Sequence, residues 1–250
     1  MVTRRLPARE WLDVRHARAR LIVPRLPEEP GATLTIAGGE AAHARARRLA
    51  PGDSVVVLDG SGREALADVL SVTRGEATLT ITEILRRESG GRPTSLFLAG
   101  LKPDRLAWAV EKATELGAAD VTIVRSERTQ AFRASPGLLP RLLRVARESA
   151  KQCGRADWPS VSGPLALERV LHEERFAHRF FLDFDGASFP RRLSAEPAAL
   201  LVGPEGGWTA GERDDASRLG WKIVTLPAGR LRAETAVAAA LTLVNAARER

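Results

Sequence analysis

The 250-residue sequence has no tyrosine, one methionine and one cysteine. A single cysteine, Cys153, excludes an internal disulfide framework and a zinc site built from several thiolates, and its apolar surroundings predict a buried thiol. The few histidines lack the spacing of metal ligands, so no metal site is expected. They are His16, His43, His172 and His178.

Long hydrophobic runs are also missing, since no apolar stretch approaches the roughly 20 residues that span a membrane. Arg4 and Arg5 resemble part of an export signal, but no hydrophobic segment follows them. We therefore expect a soluble, cytoplasmic protein without a membrane partner. Residues 1–18 are polar and rich in arginine, and we expect them to form an N-terminal extension.

Lysine is scarce, so arginine carries nearly all of the positive charge behind the net charge of +7. The planar fork of donors on arginine suits phosphate, and an excess of positive charge favours a polyanionic partner such as nucleic acid. Heavy use of arginine and alanine is also typical of a coding bias, which leaves a second explanation of the charge open.

Residues 19–87 show the alternation of short β-strands around one helix from about Gly39 to Leu49. Asp59–Gly62 has the composition of a tight turn between strands. This combination predicts a small β-barrel. Three arginines of the helix region, Arg45, Arg47 and Arg48, form either a solvated basic face or an RNA-contacting one. The expected strands are Arg20–Val23, Thr33–Ile36, Ser54–Asp59 and Thr78–Ile84.

A polar linker at residues 88–94 precedes a region, 95–250, in which strands alternate with helices. Such alternation predicts an α/β fold with a parallel sheet covered on both faces. The expected strands are Ser95–Gly100, Val121–Val124, Arg179–Phe184, Ala199–Gly203 and Ile223–Leu226. The expected helices are Asp104–Leu116, Leu138–Cys153, Ala210–Leu219 and one that runs to the C-terminus.

The helix predicted over Leu138–Cys153 has an apolar stripe and, on another face, a row of cations. Like charges at helical spacing repel one another, so a row of this kind suggests an anionic partner. We hypothesise that the row contacts a nucleic-acid backbone. Its members are Arg141, Arg144, Arg147, Lys151 and Arg155.

Two loops rich in glycine and proline each follow an apolar run and lead into a helix. The first lies in LLVGPEGGWT, residues 200–209, and the second in LPAGRLRAETA, residues 226–236. Neither spacing is that of a dinucleotide fingerprint or a P-loop. We expect the two loops to lie on neighbouring strands and to form the walls of a small-molecule pocket lined by backbone groups. Thr209 and Glu212 predict a capping box at the helix after the first loop.

Three charged residues of these loops are candidates for chemistry. Glu205 is a carboxylate inside a glycine turn where a small polar residue would suffice. Glu234 lies near a helix start, where its charge suits the helix macrodipole. Arg232 lies at the same helix start, where a cation is electrostatically unfavourable, so we expect an anionic group opposite it.

Both loops resemble the cofactor-binding end of the SPOUT methyltransferases, and within them the RsmE family. Four further segments are similar to that family, and His43, Gly52-Asp53 and Asp59–Gly62 resemble its PUA-like RNA-binding domain. The segments are LKPDR at 101–105, EKATELG at 111–117, SERT at 126–129 and ESAKQCGR at 148–155. The second loop differs from the family pattern, because Pro227, Gly229 and Ala233 stand where the family has Gly, Arg and Thr.

The resemblance implies a SPOUT-type parallel sheet with a trefoil knot, preceded by a small PUA-like β-barrel. It also implies a homodimer through the apolar final helix. The implied activity is methylation of N3 of a uridine in small-subunit (16S) ribosomal RNA, with S-adenosylmethionine as cofactor and the RNA or small subunit as partner. The alternatives are a SPOUT enzyme acting on another rRNA or tRNA nucleotide, and a catalytically silent RNA-binding assembly factor.

The implied reaction, together with the positions and charges of individual residues, suggests roles for them. Arg232 is expected to stabilise the charge that develops on uracil, while Glu205 or Glu234 accepts the N3 proton or orients Arg232. The expected cofactor-binding residues are Leu182, Val202, Gly203, Pro204, Glu205, Gly206, Gly207, Leu226, Pro227, Gly229, Leu231, Arg232, Thr235 and Ala236. The expected RNA-binding residues are Arg45, Arg47, Arg48, Lys102, Arg128, Arg144, Arg147, Lys151 and Arg155.

Overall fold

The structure is a computed structural model that describes residues 5–6, 17–87, 93–129 and 132–248. The N-terminal extension expected at 1–18 and the linker expected at 88–94 lie almost wholly outside these residues. The strands are β1 (Arg5–Leu6), β2 (Arg20–Ile22), β3 (Thr33–Ala37), β4 (Ser54–Leu58), β5 (Arg63–Val72), β6 (Glu76–Arg87), β7 (Thr94–Ala99), β8 (Ala118–Arg125), β9 (Ser160–Ala166), β10 (His178–Ser188), β11 (Ala198–Val202) and β12 (Lys222–Thr225). The helices are α1 (Gly38–Ala46), α2 (Pro103–Glu115), α3 (Leu138–Cys153), α4 (Leu167–Leu171), α5 (Ala210–Arg218) and α6 (Ala233–Arg248).

The chain divides into two compact units, and the division is not a single cut along the sequence. The first unit is Met1–Gly91 together with Ala150–Asp157, and the second is Arg92–Ser149 together with Trp158–Arg250. The sequence-based boundaries, 19–87 and 95–250, assign residues 150–157 to the second region, whereas the structure groups them with the first.

The first unit is a half-barrel sheet with one helix. Its strands run in the order β1-β6-β5-β4-β2, and β3 pairs with β6. Alternate residues of β4 to β6 point inward and form an apolar core with β2 and α1, as the period of two in the sequence predicts. The core includes Leu21, Ala44, Val55, Val57, Ala65, Ala67, Leu79 and Ile81.

Residues at the end of α3 belong to the first unit because their polar groups pair there. Lys151 Nζ lies 3.0 Å from a carboxylate oxygen of Glu40. The backbone carbonyl of Arg155 accepts a hydrogen bond of 3.0 Å from the Arg20 guanidinium, which also pairs with the fully buried Glu64. Lys151 is only 8% exposed.

The second unit contains a six-stranded sheet in the order β12-β10-β11-β7-β8-β9, and every strand pair in it is parallel. Residues of β7 alternate between two cores. Leu96 and Leu98 pack in a cluster with residues of α2, α3 and α6, while Phe97 and Ala99 pack in a cluster with residues of α4 and α5. The sheet is therefore covered on both faces, which confirms the expected α/β architecture.

The sequence missed β9 and α4. Gly163 and Pro164 interrupt the apolar pattern of β9, and proline is tolerated there because β9 is an edge strand. Gly163 is required, since its φ is +102° and a Cβ atom would lie 2.4 Å from the Ile123 carbonyl oxygen.

Gly117 ends α2 with a φ of +85°, as its position predicts. The trefoil knot stays a prediction of the resemblance.

Helix α6 packs most of its length against its own unit. Eight of its residues are buried, among them Val237, Leu241 and Val244, and Asn245 donates a 2.9 Å hydrogen bond to the carbonyl of Leu116 after α2. The apolar composition of α6 is thus explained within one chain. Among the described residues, no helix has the length and apolar character needed to cross a membrane.

Candidate active site

A cavity of about 430 Å³ lies where β10, β11 and β12 reach their carboxyl ends. These strands are neighbours in the sheet, with β10 between the other two. The expectation that the two glycine-rich loops lie on adjacent strands is therefore wrong, and a third segment, from β10, lies between them. Carboxyl ends of parallel strands are the usual place for ligand sites in α/β sheets.

The loop after β11 is fixed by the indole ring of Trp208. Its Nε1 donates a 2.9 Å hydrogen bond to the carbonyl of Leu182 on β10. A Cβ atom at Gly203 would lie 2.8 Å from two atoms of the same ring, so only glycine fits there. Gly207 has a φ of +71°, which glycine adopts without strain. The glycines of this loop therefore serve close packing as well as access to the cavity.

The same loop is anchored where α5 begins. Thr209 and Glu212 form the predicted capping box, with a 2.8 Å hydrogen bond from the Thr209 N–H to Glu212 Oε2. The other oxygen, Oε1, accepts a 2.7 Å hydrogen bond from the backbone of Glu127. Arg128 donates a hydrogen bond to the carbonyl of Gly206. Arg128 therefore supports the loop from outside the cavity, although it was assigned to RNA.

The loop after β12 is exposed from Pro227 to Arg230 and leads into α6. The N–H of Ala236 donates a 2.8 Å hydrogen bond to the carbonyl of Arg232, which places Arg232 at the start of the helix. Arg232 is exposed and lines the cavity, and within the described part of the chain its guanidinium has no ion pair. The predicted position of a cation at this helix start is thus confirmed.

The third wall is a bulge of β10 at residues 183–186. Leu182 and Ala187 both pair with Val224 of β12, so the residues between them loop out of the sheet. Gly186 passes so close to β12 that a Cβ atom would lie 2.5 Å from the Val224 backbone. Asp183 and Phe184 of the bulge line the cavity.

A charged cluster joins the wall of the cavity to two of the candidate catalytic residues. Arg105 of α2 lines the cavity, forms an ion pair with Glu205, and has its Nε 3.8 Å from Glu234 Oε1. Glu234 is only 9% exposed, and its Oε2 is buried without a hydrogen-bond partner in the described structure. A buried carboxylate oxygen of this kind is costly unless a donor reaches it.

Most of the residues assigned to the cofactor by sequence line this cavity. They are Leu182, Val202, Gly203, Pro204, Glu205, Gly207, Leu226, Gly229, Leu231, Arg232 and Ala236. Three others are not among the lining residues, namely Gly206 and Pro227 of the same loops and Thr235 in the first turn of α6.

The lining also includes residues that the sequence did not single out. Arg105 lies in the similar segment LKPDR, which was a signal that went unused. Asp183 and Phe184 carried no signal, because a bulge inside a strand leaves no mark in the pattern of apolar residues. The other additions are Trp208, Val224, Thr225, Ala228, Arg230 and Ala233.

The residues assigned to RNA differ in their exposure and in the contacts that they make. Arg45, Arg47 and Arg48 of the first unit are exposed, as are Lys102, Arg144 and Arg147 of the second. Arg147 lies over the ring of Trp158, with 5.4 Å from its guanidinium carbon to the ring centroid. Arg128 is exposed but bonded to Gly206.

The five cations do not form one exposed row on α3, because Lys151 is buried and Arg155 lies beyond the end of the helix. Lys151 and Arg155 turn into the first unit, where Lys151 pairs with Glu40 and Arg155 pairs with Asp157 at 2.9 Å. Arg141 pairs with Asp104 at 2.8 Å. The predicted repulsion within the row is therefore relieved by carboxylates from other segments.

The chain matches known proteins over most of its length. A family described as an RNA methyltransferase domain matches residues 89–245, and one described as an RNA methyltransferase PUA domain matches residues 36–82. A protein of Mycobacterium tuberculosis named ribosomal RNA small subunit methyltransferase E is 33% identical, with 89% of each chain covered. A protein of the same name from Synechocystis sp. is 32% identical, covering 81% of this chain and 69% of the relative.

A crystal structure from Neisseria gonorrhoeae has the same fold. It is a ribosomal RNA small subunit methyltransferase E bound to S-adenosyl methionine, with a TM-score of 0.83 and 23% sequence identity. The match covers 92% of this chain and 98% of that one.

Proposed function

Because the chain belongs to the family of ribosomal RNA small subunit methyltransferase E, we propose that it methylates N3 of a uridine in small-subunit (16S) ribosomal RNA with S-adenosylmethionine. The observation that carries this proposal is the cavity itself. Loops of three adjacent strands enclose it, and Glu205, Arg105 and Arg232 line it.

The residues of the cavity fit S-adenosylmethionine, the ligand of the Neisseria relative. The buried side chains of Leu182, Val202 and Val224 offer an apolar surface for adenine. Exposed backbone groups of the two glycine-rich loops and the carboxylate of Asp183 offer partners for the polar groups of the cofactor. When bound, the cofactor supplies an electrophilic methyl group on a sulfonium.

The acceptor must lose a proton, since N3 of uracil carries one and is a poor nucleophile in that state. Loss of this proton spreads negative charge over the two flanking carbonyl oxygens. Arg232 lines the cavity and has no ion pair within the described part of the chain, so its guanidinium is available to stabilise that charge. This negative charge on uracil is the anionic group expected opposite Arg232, and it explains why a cation lies at the start of a helix.

Glu205 is better placed than Glu234 to accept the N3 proton. It lines the cavity and is half-exposed, so a base can reach it, whereas Glu234 is buried and is not among the lining residues. Glu234 would instead orient Arg105, which in turn holds Glu205. Alignment of the acceptor with the donor would supply the rest of the acceleration.

We also propose that the protein acts as a homodimer through α6. The residues of this helix that its own chain leaves exposed, Thr235, Thr242 and Ala246, would then face a second copy. Analytical ultracentrifugation would show a species of twice the chain mass, and a monomer at micromolar concentration would contradict the dimer.

The proposed activity is tested by mass spectrometry of ribosomal RNA from a strain that lacks the gene. Loss of one N3-methyluridine from 16S RNA is expected. Loss of a different modification would favour a related methyltransferase with another target. Unchanged RNA, together with no heat on titration with S-adenosylmethionine, would indicate an assembly factor without catalytic activity.

The role of Arg232 is tested by complementing the deletion strain. Arg232→Ala should lower methylation by about 100-fold, because it removes the cation at the developing charge. Arg218→Ala is the control, since Arg218 is also an exposed arginine but, unlike Arg232, pairs with a carboxylate, Asp215, and lies outside the cavity lining. Full methylation by Arg232→Ala would refute the assignment.

A further inference from the structure

Phe184 is an exposed aromatic ring at the cavity. Among the described residues, the large apolar side chains that are exposed are Leu70 at 49%, Trp108 at 39% and Phe184 at 51%. Of these three, Phe184 alone lines the cavity. A large apolar surface in water is unfavourable, so its presence beside a cavity suggests a ligand that covers it.

The bulge holds this ring in place. Arg213 of α5 forms ion pairs with Asp183 at 3.2 Å and Asp185 at 3.4 Å, the residues on either side of Phe184. Gly186 fits tightly against β12 immediately afterwards, and the carbonyl of Leu182 is bonded to Trp208 immediately before. Exposure of the ring is therefore built into the fold of the bulge.

Arg230 lies over the ring, with its guanidinium carbon 4.8 Å from the ring centroid. It belongs to the same loop as Arg232 and is exposed. A flat ring combined with a guanidinium is the surface that proteins use for unpaired nucleotides, because the ring stacks on a base and the cation binds phosphate.

We propose that Phe184 and Arg230 bind the nucleotide to be methylated, with the base stacked on the face of the Phe184 ring that Arg230 does not cover and Arg230 on an adjacent phosphate. The proposal rests on the proposed function and adds the residues that select an unstacked base. A base that the enzyme modifies must leave its stack, and the loss of stacking has to be offset at the site. Phe184 replaces part of the lost stacking.

The exposure of the lining favours the RNA base over the adenine of the cofactor as the partner of Phe184. The apolar side chains Leu182, Val202 and Val224 are at most 8% exposed, as an enclosed slot for a small cofactor requires. A nucleotide of a large RNA must arrive from solvent at every turnover. Phe184 and Arg230 are exposed parts of the lining, and Arg230 shares its loop with the proposed catalytic cation.

The test uses the full-length protein, small ribosomal subunits from a strain lacking the gene, and S-adenosylmethionine. Phe184→Ala should lower kcat/KM for the subunits about tenfold, as expected for one lost base stack, and weaken subunit binding by a similar factor. Phe184→Trp should keep both within about twofold, because the larger ring still stacks. Arg230→Gln should weaken binding most at low salt.

Titration calorimetry with S-adenosylmethionine separates the base from the cofactor. The dissociation constant of Phe184→Ala should stay within about twofold of the wild type. Trp108→Ala is the matched control, since Trp108 is also an exposed ring with a cation over it, Lys112 Nζ at 5.8 Å, but does not line the cavity. It should leave catalysis and both affinities unchanged.

Two outcomes would overturn the proposal. A cofactor affinity that falls as much as kcat/KM in Phe184→Ala would assign the ring to adenine. Subunit binding by Phe184→Ala equal to that of Trp108→Ala would leave the ring without a ligand. If the wild type transferred no methyl group, the proposed function would fail, but the binding comparison would still decide the role of Phe184.

Discussion

At the scale of residues, single contacts decide the shape of the cavity. The indole of Trp208 occupies the space beside Gly203 and is bonded through Nε1 to β10, so one side chain fixes two of the three walls. Arg105 has a similar role through its charge, because it lies between two carboxylates and connects Glu205 in the lining with the buried Glu234. Such contacts explain why the loop has glycine where backbone and ring meet.

The requirement for glycine at position 203 can be measured. Gly203→Ala would place a methyl group 2.8 Å from the Trp208 ring, so we expect the free energy of unfolding to fall by about 1–3 kcal/mol and cofactor affinity to fall with it. Thermal unfolding and titration calorimetry check both effects. In the control Gly229→Ala, the Cβ atom has no neighbour within 4 Å, so stability should change little. Equal stabilities for the two variants would contradict the argument.

At the scale of elements, neighbouring strands share polar contacts that apolar patterns do not reveal. Ser95 of β7 donates a 2.6 Å hydrogen bond to Asp120 of β8 inside the sheet. Burial raises the pKa of Asp120, and the Ser95 bond with the nearby charge of Arg175 offsets only part of that effect. The ionised form of Asp120 therefore stabilises the folded state less than the protonated form does.

This shift predicts how stability depends on pH. A carboxyl whose pKa is raised by folding stabilises most below its unfolded pKa, about 3.9, and this contribution is lost as the pH rises through the folded value. Asp120→Asn keeps an acceptor for Ser95 and has no charge to bury. Its free energy of unfolding relative to the wild type should therefore increase from about pH 4 upward.

Chemical denaturation at a series of pH values checks this expectation. Asp68→Asn provides the control, because Asp68 accepts a 2.8 Å hydrogen bond from Ser54 on the surface of the first unit and is not buried. A relative stability of Asp120→Asn that stays flat or falls with pH would show that burial does not dominate at this site.

At the scale of the whole molecule, the cations behind the net charge of +7 have different roles. Some cations predicted to contact RNA bind other groups of the protein itself. Lys151 forms an ion pair with Glu40, and Arg128 donates a hydrogen bond to the carbonyl of Gly206. Others remain exposed, including Arg144 and Arg147. The positive charge of α3 is therefore divided between folding and a surface open to a partner.

This division predicts different effects along one helix. The double variant Arg144→Gln/Arg147→Gln should weaken binding to small ribosomal subunits and reduce the salt dependence by about two phosphate contacts, with little loss of stability. Lys151→Gln should instead lower the melting temperature, because it leaves Glu40 without its lysine partner. Binding as a function of salt, together with thermal unfolding, distinguishes the two effects.

A control with the same change of charge is Arg191→Gln/Arg192→Gln, since both side chains are exposed in the segment before β11. It should leave the salt dependence close to that of the wild type. If both double variants weakened binding equally, net charge rather than the position of α3 would explain the affinity.

The amino-acid sequence determined most of the elements and the two glycine-rich loops. Apolar periodicity is local, so α3, α5 and most strands could be placed to within a few residues, and the capping box at Thr209 was visible as a spacing. The odd position of Arg232 at a helix start was visible for the same reason. Similar segments along the chain led to the family, which the comparisons confirm.

Only the tertiary structure decided which elements became neighbours. The position of β10 between β11 and β12 depends on how the chain crosses the sheet, and no local pattern encodes it. That order brought Phe184 to the cavity. The pairing of β7 with β11 placed Arg105, which follows β7, near Glu205, while folding turned Lys151 away from the exposed face of α3. The physical reason is common to all three, because propensity and periodicity act over one or two turns of chain, whereas these contacts join residues far apart in the sequence.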